Sequence, residues 1–196
     1  MDIIFDLGNV ILDWNTESIL DSLDIDDQER SLLKKELFGH QDWLGLDCGR
    51  YSEADFIHMV TKRSDLDIGV IKNALRAAKE SLTPIPESVR ALREFNTAGM
   101  DIYCLSNMSL ETYDFVKDLE LFKFFKGVVI SGQEKCMKPH IDIFNIIISR
   151  YELNPLSTLF IDDCLPNIQT AIGLGMKGLH FKRSKQCYSK LKDFIN

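Results

Sequence analysis

Residues 3–10 read Ile-Ile-Phe-Asp-Leu-Gly-Asn-Val, a short apolar run that ends in an acid and a turn. The apolar part, 3–5, predicts a strand buried on both faces, because its apolar character is continuous rather than alternating. Further runs of this kind lie at 102–105, 128–131, 158–161 and 178–181. Helical patterns fill the gaps between the runs, at 87–98, 109–119, 140–152, 166–173 and 184–195. This alternation predicts an α/β fold with a parallel sheet of about five strands, Rossmann-like and flanked by helices.

The stretch 16–82 interrupts the alternation, because it contains helix patterns and no convincing strand. Ser52 and Asp55 form a capping-box pattern, which predicts the start of one of these helices. The predicted helices of this stretch cover 16–23, 26–39, 52–62 and 67–80. We therefore predict two domains. Residues 1–15 and 83–196 form the α/β core domain, and 16–82 form a helical cap domain inserted after the first strand.

Composition excludes several classes of partner. The chain has 196 residues, 45% of them hydrophobic, with a formal net charge of −7 and no basic cluster of the kind that binds nucleic acid. No apolar run approaches the roughly 18 residues of a membrane span. The N-terminal segment is acidic where a secretion signal is basic. Five cysteines without a C-x-x-C spacing predict reduced thiols and a cytoplasmic location. The oligomeric state is not readable from the sequence.

Polar residues follow the predicted strands at the ends where parallel sheets bind ligands. They are Asp6, Ser106, Asn107, Lys138 in an exposed loop, Asp162 and Asp163. Crowded carboxylates repel one another, so such a cluster predicts a divalent cation, and oxygen-only ligands favour Mg²⁺. The Lys138 ammonium, the Ser106 hydroxyl and nearby backbone N–H groups predict a phosphate site. An Asp6 carboxylate held there can attack phosphorus and form an aspartyl-phosphate.

Four segments in order carry a family resemblance: Asp6-Leu-Gly-Asn-Val, Ser106-Asn107, Lys138-Pro139 and Ile161-Asp162-Asp163. With the helical insert after the first motif, the chain resembles the haloacid dehalogenase (HAD) superfamily over essentially its whole length. The Asp-Leu-Gly-Asn-Val string, together with Asn167 four residues after Asp163, looks most like the branch that holds bacterial α-D-glucose-1-phosphate phosphatases.

The resemblance implies specific roles for these residues. The Mg²⁺ ligands would be Asp6, Asp163 and the backbone carbonyl of Gly8, supported by Asp162 and Asn167. Asp6 would also be the nucleophile. Ser106 and Asn107 would hold the phosphoryl oxygens, and Lys138 would pair with both Asp6 and the phosphate.

Gly8 departs from the common family pattern, which has a second Asp two residues after the nucleophile as general acid and base. The leaving group must then depart unassisted, or take its proton from water or from a cap residue such as His40 or Asp47. We place these two residues on a loop between cap helices, where Trp43 and Arg50 are candidates for substrate specificity. Packing of Trp43 in the cap core is an equal alternative.

Two functions stay open. The first is a Mg²⁺-dependent phosphatase for a small phosphorylated metabolite, with a sugar phosphate as one candidate. The alternative is a catalytically weak HAD-fold protein that binds a ligand or partner and lacks the general acid at Gly8. A third function, dehalogenation, is disfavoured by Asp163 and Gly8.

Overall fold

The computed structural model describes residues 1–195. Its centre is a five-stranded sheet in the order β3-β2-β1-β4-β5, and all four strand pairs are parallel. The strands are β1 (Asp2–Phe5), β2 (Asp101–Ser106), β3 (Gly127–Ile130), β4 (Thr158–Asp162) and β5 (Lys177–His180). The predicted fold class is confirmed, with strand bounds that differ by one residue in most cases.

Helices precede, follow and connect the strands. In chain order they are α1 (Thr16–Asp21), α2 (Asp27–Leu32), α3 (Gln41–Asp47), α4 (Glu53–Arg63), α5 (Ile68–Glu80), α6 (Pro86–Thr97), α7 (Leu110–Val116), α8 (Ser131–Glu134), α9 (Ile141–Arg150), α10 (Leu165–Gly173) and α11 (Lys185–Lys192). A π-helical segment covers Leu33–Phe38, and 3-10 segments cover Glu120–Phe124 and Pro155–Ser157. None of the helices in residues 1–195 has the length and apolar character needed to cross a membrane.

The sheet is buried on both faces. Ile3 and Phe5 of β1 belong to a core cluster shared with α6 and α11, whereas Ile4 between them belongs to a second cluster shared with α9 and α10. Successive side chains of a strand point to opposite faces, so continuous apolar runs are what such a sheet requires. This burial holds the strands in register and fixes where their carboxyl ends lie.

Helices α1 to α5 have a core of their own, formed by apolar residues such as Leu37, Phe56 and Leu75. The two connections to the sheet lie side by side. The Asp13 N–H donates to the Thr83 carbonyl at 2.8 Å, and the Ile85 N–H donates to the Ile11 carbonyl at 2.8 Å. The chain therefore enters and leaves the stretch 16–82 through two adjacent, hydrogen-bonded connections. We call this stretch the helical insert.

Three helical details differ from the sequence-based predictions. The predicted helix 26–39 divides into α2 and the π-helical segment, within which the Glu36 carbonyl accepts a hydrogen bond from Arg63 at 2.7 Å. Helix α3 occupies a stretch that we assigned to a loop, and α8 follows β3 directly. Both are short, at 7 and 4 residues, so they give little periodicity to recognise.

Candidate active site

Three carboxylates meet at the carboxyl end of the sheet. Asp6 follows β1, Asp162 ends β4, and Asp163 comes next in the chain. Oxygen atoms of the three side chains lie within 4.8 Å of one another. Asp6 and Asp162 are buried and Asp163 is partly exposed, so their mutual repulsion is poorly screened by water.

Lys138 supplies the opposing charge. Its Nζ lies 2.9 Å from Asp6 Oδ1 and 2.7 Å from Asp162 Oδ2, and it donates to the Leu105 carbonyl at 2.8 Å. The exposed-loop prediction was wrong for this side chain, which is only 2% exposed. The ammonium is buried because three acceptors replace its lost hydration.

Asn107 holds Lys138 in place through the backbone. Its side-chain amide donates to the Lys138 carbonyl at 2.9 Å, and its side-chain oxygen accepts from the Lys138 N–H at 2.9 Å. Both ends of the Asn107 side chain are thereby occupied. Ser106, the last residue of β2, is buried beside it.

Asp162 is saturated with donors. Besides Lys138 it accepts from the Cys164 N–H at 2.7 Å, and Asn167 Nδ2 lies 3.0 Å from each of its oxygens. Its oxygens are therefore used to hold Lys138 and the loop that follows β4. The expected role of Asp162 and Asn167 in supporting a metal site stays a prediction.

Asp6 is bonded on one oxygen only. Oδ1 accepts from the Leu7 N–H at 2.8 Å and pairs with Lys138, whereas Oδ2 has no hydrogen-bond donor among residues 1–195. The turn after Asp6 closes through N–H groups that donate to the Leu7 carbonyl, and Asn9 within it has φ of +56°. Asn is one of the few side chains that adopts this left-handed conformation readily.

The local electrostatics raise the pKa of two acids. Burial, reinforced by Asp162 and Asp163, raises the pKa of Asp6 to about 6 in spite of Lys138. Burial and the neighbouring Asp162 also raise the pKa of Asp163. Burial opposes the charge on Lys138, yet attraction to Asp6 and Asp162 outweighs it and raises the pKa of the ammonium. The cluster therefore carries more negative charge than one Lys balances.

Two cavities adjoin these residues and share Asn107. The larger, of about 910 Å³, is lined by Asp6, Lys138, Asp163 and, from the helical insert, Arg50. The smaller, of about 140 Å³, extends from Gly8 and Asn107 into the helical insert. Its other lining residues are Trp14, Trp43, Leu46, Asp47, Glu53, Leu75, Ala78, Lys79, Leu82, Met108 and Thr112. We call the first the phosphate cleft and the second the apolar pocket.

The insert residues take different positions. Trp43 lies on α3, not on a loop, and it lines the apolar pocket while packing against Trp14, with ring centroids 5.7 Å apart. Trp43 also packs against the core of the helical insert, while its role in substrate specificity stays a prediction. His40 lines neither of the two cavities, because its ring caps α3 by accepting from the Asp42 N–H at 3.2 Å. Asp47, the last residue of α3, lines the apolar pocket.

Ser131 was missed by the sequence reasoning. Its Oγ accepts from the Met108 N–H at 2.8 Å and donates to the Asp47 carbonyl at 2.6 Å, so it joins the insert to the loop after β2. Ser131 directly follows β3, and the rule that polar residues at strand ends mark the site would have found it.

Lys138→Met should destabilise the protein by about 3–5 kcal/mol at pH 7 without added metal, because it leaves buried carboxylates with no counter-charge. Urea denaturation measures this free energy. The loss should shrink as the pH falls to 5, since protonation of Asp6 relieves the repulsion. Lys117→Met removes an exposed ion pair with Asp114 and should change stability little. Equal effects of the two substitutions would contradict this electrostatic account.

Comparison with known proteins agrees with this geometry. A family model described as haloacid dehalogenase-like hydrolase matches residues 3–175. Sesquiterpene phosphatase astK from Aspergillus oryzae is 24% identical over an alignment of 196 positions, which covers 98% of this chain and 95% of that protein.

Two solved structures have the same fold. The HAD family enzyme bt-2542 from Bacteroides thetaiotaomicron, in complex with magnesium and inorganic phosphate, has a TM-score of 0.76 at 18% identity and covers 94% of this chain and 95% of its own. A predicted HAD-like family hydrolase from Porphyromonas gingivalis has a TM-score of 0.76 at 24% identity, over 100% of this chain and 97% of its own. With the family match over most of the chain, the protein belongs to the haloacid dehalogenase-like hydrolases.

Proposed function

We propose that the protein is a Mg²⁺-dependent phosphatase that hydrolyses a small phosphorylated metabolite through an aspartyl-phosphate on Asp6. The observation that carries this proposal is the unbonded Oδ2 of Asp6 beside the buried Lys138 ammonium, in two residues that line the phosphate cleft. The cleft is large enough for a phosphoryl group with its ligands. The Mg²⁺ and phosphate in the bt-2542 complex support the same chemistry.

The chemistry of the chain's own residues proceeds in two steps. The Asp6 carboxylate attacks phosphorus, so a bond from its oxygen to phosphorus forms while the ester bond to the leaving oxygen breaks. Lys138 offsets the negative charge of the phosphoryl group and orients Asp6. Water then attacks the aspartyl-phosphate and releases phosphate, which restores the Asp6 carboxylate. We propose that Ser106, the last residue of β2, and the backbone N–H groups that follow it hold phosphoryl oxygens.

The donor set fits Mg²⁺. The cluster offers carboxylate oxygens only, and its negative charge exceeds that of Lys138. Asp6 and Asp163 would hold the ion together with the Gly8 carbonyl, while Asp162 keeps its hydrogen bonds to Lys138 and Asn167. A bound Mg²⁺ supplies positive charge that stabilises the phosphoryl oxygens.

We propose that the helical insert is a cap domain, residues 16–82, on a core domain of residues 1–15 and 83–196. Two observations support this division: the insert has a separate apolar core, and its two chain connections lie side by side. In the structure the cap is closed on the core. Gly49, with φ of +66°, lies so near Gly132 that a Cβ would come within 2.2 Å of the Gly132 carbonyl oxygen. A closed cap limits the access of bulk water to the cleft during the first transfer step.

The apolar pocket indicates the leaving group. It opens at Gly8, two residues after the nucleophile, and aromatic and aliphatic side chains form most of its wall. Sugar hydroxyl groups that lie against the aromatic and aliphatic part of this wall would have no partners, which is costly. We therefore favour an apolar alcohol over a sugar as the group esterified to phosphate. The similarity to a sesquiterpene phosphatase supports this choice.

Non-enzymatic ligand binding is the second candidate, because Gly8 lacks the usual acid. The buried Lys138 beside Asp6 favours catalysis, since a binding protein has no need of an unbonded carboxylate oxygen against its anionic ligand. Such an oxygen repels phosphate unless a cation offsets its charge.

Asp6→Asn should lower turnover of 4-nitrophenyl phosphate by several orders of magnitude, because the amide keeps the shape but is a poor nucleophile. Release of 4-nitrophenol with Mg²⁺ measures this. Asp142→Asn is the control, since Asp142 lines the same cleft but is exposed and outside the carboxylate cluster. Activity of Asp6→Asn within tenfold of wild type would contradict a covalent intermediate on Asp6. A wild-type protein that binds the ester without releasing nitrophenol would favour the binding function.

Mg²⁺ should raise the melting temperature of the wild-type protein, because an ion that binds only the folded state stabilises it. Asp163→Ala should remove most of that shift, whereas Asp142→Ala should keep it. Differential scanning fluorimetry with and without Mg²⁺ gives the comparison without requiring activity. The same shift in wild type and Asp163→Ala would place the ion away from the cluster.

Ala78→Leu should raise KM for phosphate esters of apolar alcohols by about tenfold or more, because the added carbons fill the apolar pocket. The KM for acetyl phosphate should change much less, since its acyl group is small. Ala77→Leu adds the same carbons next to the pocket without lining it. Unchanged KM values for Ala78→Leu would show that the leaving group lies elsewhere.

A further inference from the structure

Position 8 has no side chain that could protonate the leaving oxygen, so the source of this proton has to be found elsewhere. Gly8 has no side chain, and a Cβ built on it would meet nothing within 4 Å. The space that a second acid would occupy is therefore free, and it belongs to the apolar pocket. A proton donor has to enter this space from another part of the chain or from solvent.

The ionisable side chains that line the apolar pocket are Asp47, Glu53 and Lys79. Glu53 and Lys79 are paired with each other, with the Lys79 Nζ at 2.8 and 3.0 Å from the two Glu53 oxygens. Each of the two side chains is thereby occupied by the other. Asp47 has no cation close enough to form an ion pair within residues 1–195. It is the lining acid that is free to exchange a proton.

Asp47 is held against the core rather than moving freely with the cap. The Ser131 hydroxyl donates to the Asp47 backbone carbonyl at 2.6 Å and accepts a hydrogen bond from the Met108 N–H. Met108 is next to Asn107 in the loop after β2. Two residues further along the chain from Asp47, Gly49 packs against Gly132. Lys135 donates a hydrogen bond to the Gly49 carbonyl. The position of the Asp47 carboxyl relative to the site is therefore set by contacts with the core.

Resting on the proposed phosphatase function, we propose that Asp47 is the general acid that protonates the leaving oxygen, in place of the carboxyl absent at position 8. As the phosphorus–oxygen bond breaks, its electron pair stays on the leaving oxygen, which takes the proton of the Asp47 carboxyl. Asp47 becomes a carboxylate. In the second step this carboxylate takes a proton from the attacking water, and the acid is restored.

The protonation state of Asp47 agrees with this role. Burial raises its pKa to about 7, although hydrogen bonds from the Trp43 side chain and the Ser109 backbone lower it. Solvent reaches the side chain only in part. An acid of this pKa is present in both forms near neutral pH, as a group that gives and then takes a proton needs to be.

The purely structural alternative is that Asp47 latches α3 onto Ser109, the first cap residue of α7. The two roles predict different patterns of loss. A latch affects all substrates alike, because it acts on the closed cap. A proton donor matters most for an ester whose leaving oxygen is strongly basic, such as an alkyl phosphate, and least for one that leaves as a stable anion.

The test compares hexyl phosphate with 4-nitrophenyl phosphate in wild type and Asp47→Asn, with Mg²⁺ present. The Asn side chain keeps the size and the acceptor oxygen but has no acid proton. We expect kcat on hexyl phosphate to fall by about 10²–10⁴-fold, and the loss to exceed that on 4-nitrophenyl phosphate by at least about tenfold. His40→Asn is the control, and it should lower both rates equally or not at all.

A double variant separates proton supply from folding. Gly8→Asp in the Asp47→Asn background places a carboxyl in the free space beside the nucleophile, where it should recover at least about tenfold of the lost rate on hexyl phosphate. Equal losses on both esters, or a double variant as slow as Asp47→Asn, would overturn the assignment of Asp47. Wild-type protein that hydrolyses neither ester would instead overturn the phosphatase proposal.

Discussion

The buried ion pairs of Lys138 are the interaction on which the site depends. An ammonium with 2% exposure is stable only with partners, and its partners come from the ends of β1 and β4. The carbonyl of Leu105 in β2 completes the set. One side chain thus connects the carboxyl ends of three adjacent strands, and any shift in their register would leave charges unpaired in the interior.

This constraint explains the surrounding hydrogen bonds. Asn107 fixes the Lys138 backbone, and Asn167 fixes Asp162, so each charged group is oriented by an amide that has no charge of its own. The arrangement leaves Asp6 Oδ2 and the partly exposed Asp163 as the oxygens open to the phosphate cleft. Within one cluster, Asp162 therefore holds the neighbouring groups in place, whereas Asp6 and Asp163 are left for the proposed reaction.

The sequence predicted the sheet and the positions of the polar residues well, because both depend on local pattern. Continuous apolar runs mark strands buried on both faces, and Asp6, Asn107 and Asp162 lie at the carboxyl ends of these strands. The burial of Lys138 was not predictable in this way. It lies eight residues after β3, and only its distant partners reveal that it points inward.

Helix α3 shows the same limit in the cap. Its seven residues give one apolar face of two turns, too short to separate from a loop, so the positions of Trp43 and Asp47 came only from the fold. The sequence named both as candidates without ranking them. What separates Asp47 from His40 is the tertiary contact of Asp47 with Ser131 and the capping bond of His40, neither of which is visible as a pattern.

The proposed placement of the acid on the helical insert rather than at position 8 avoids a fourth carboxyl within the cluster. Asp6, Asp162 and Asp163 already exceed the charge of Lys138, and repulsion between them contributes to the raised pKa of Asp6. A fourth carboxyl next to them would add to that repulsion whenever it ionised. A Gly at position 8 avoids the added charge, and it leaves space next to the nucleophile for an apolar group. Because Asp47 and Gly8 line the same pocket from the insert and from the core, the proposed proton transfer would depend on the contact between these two parts of the chain.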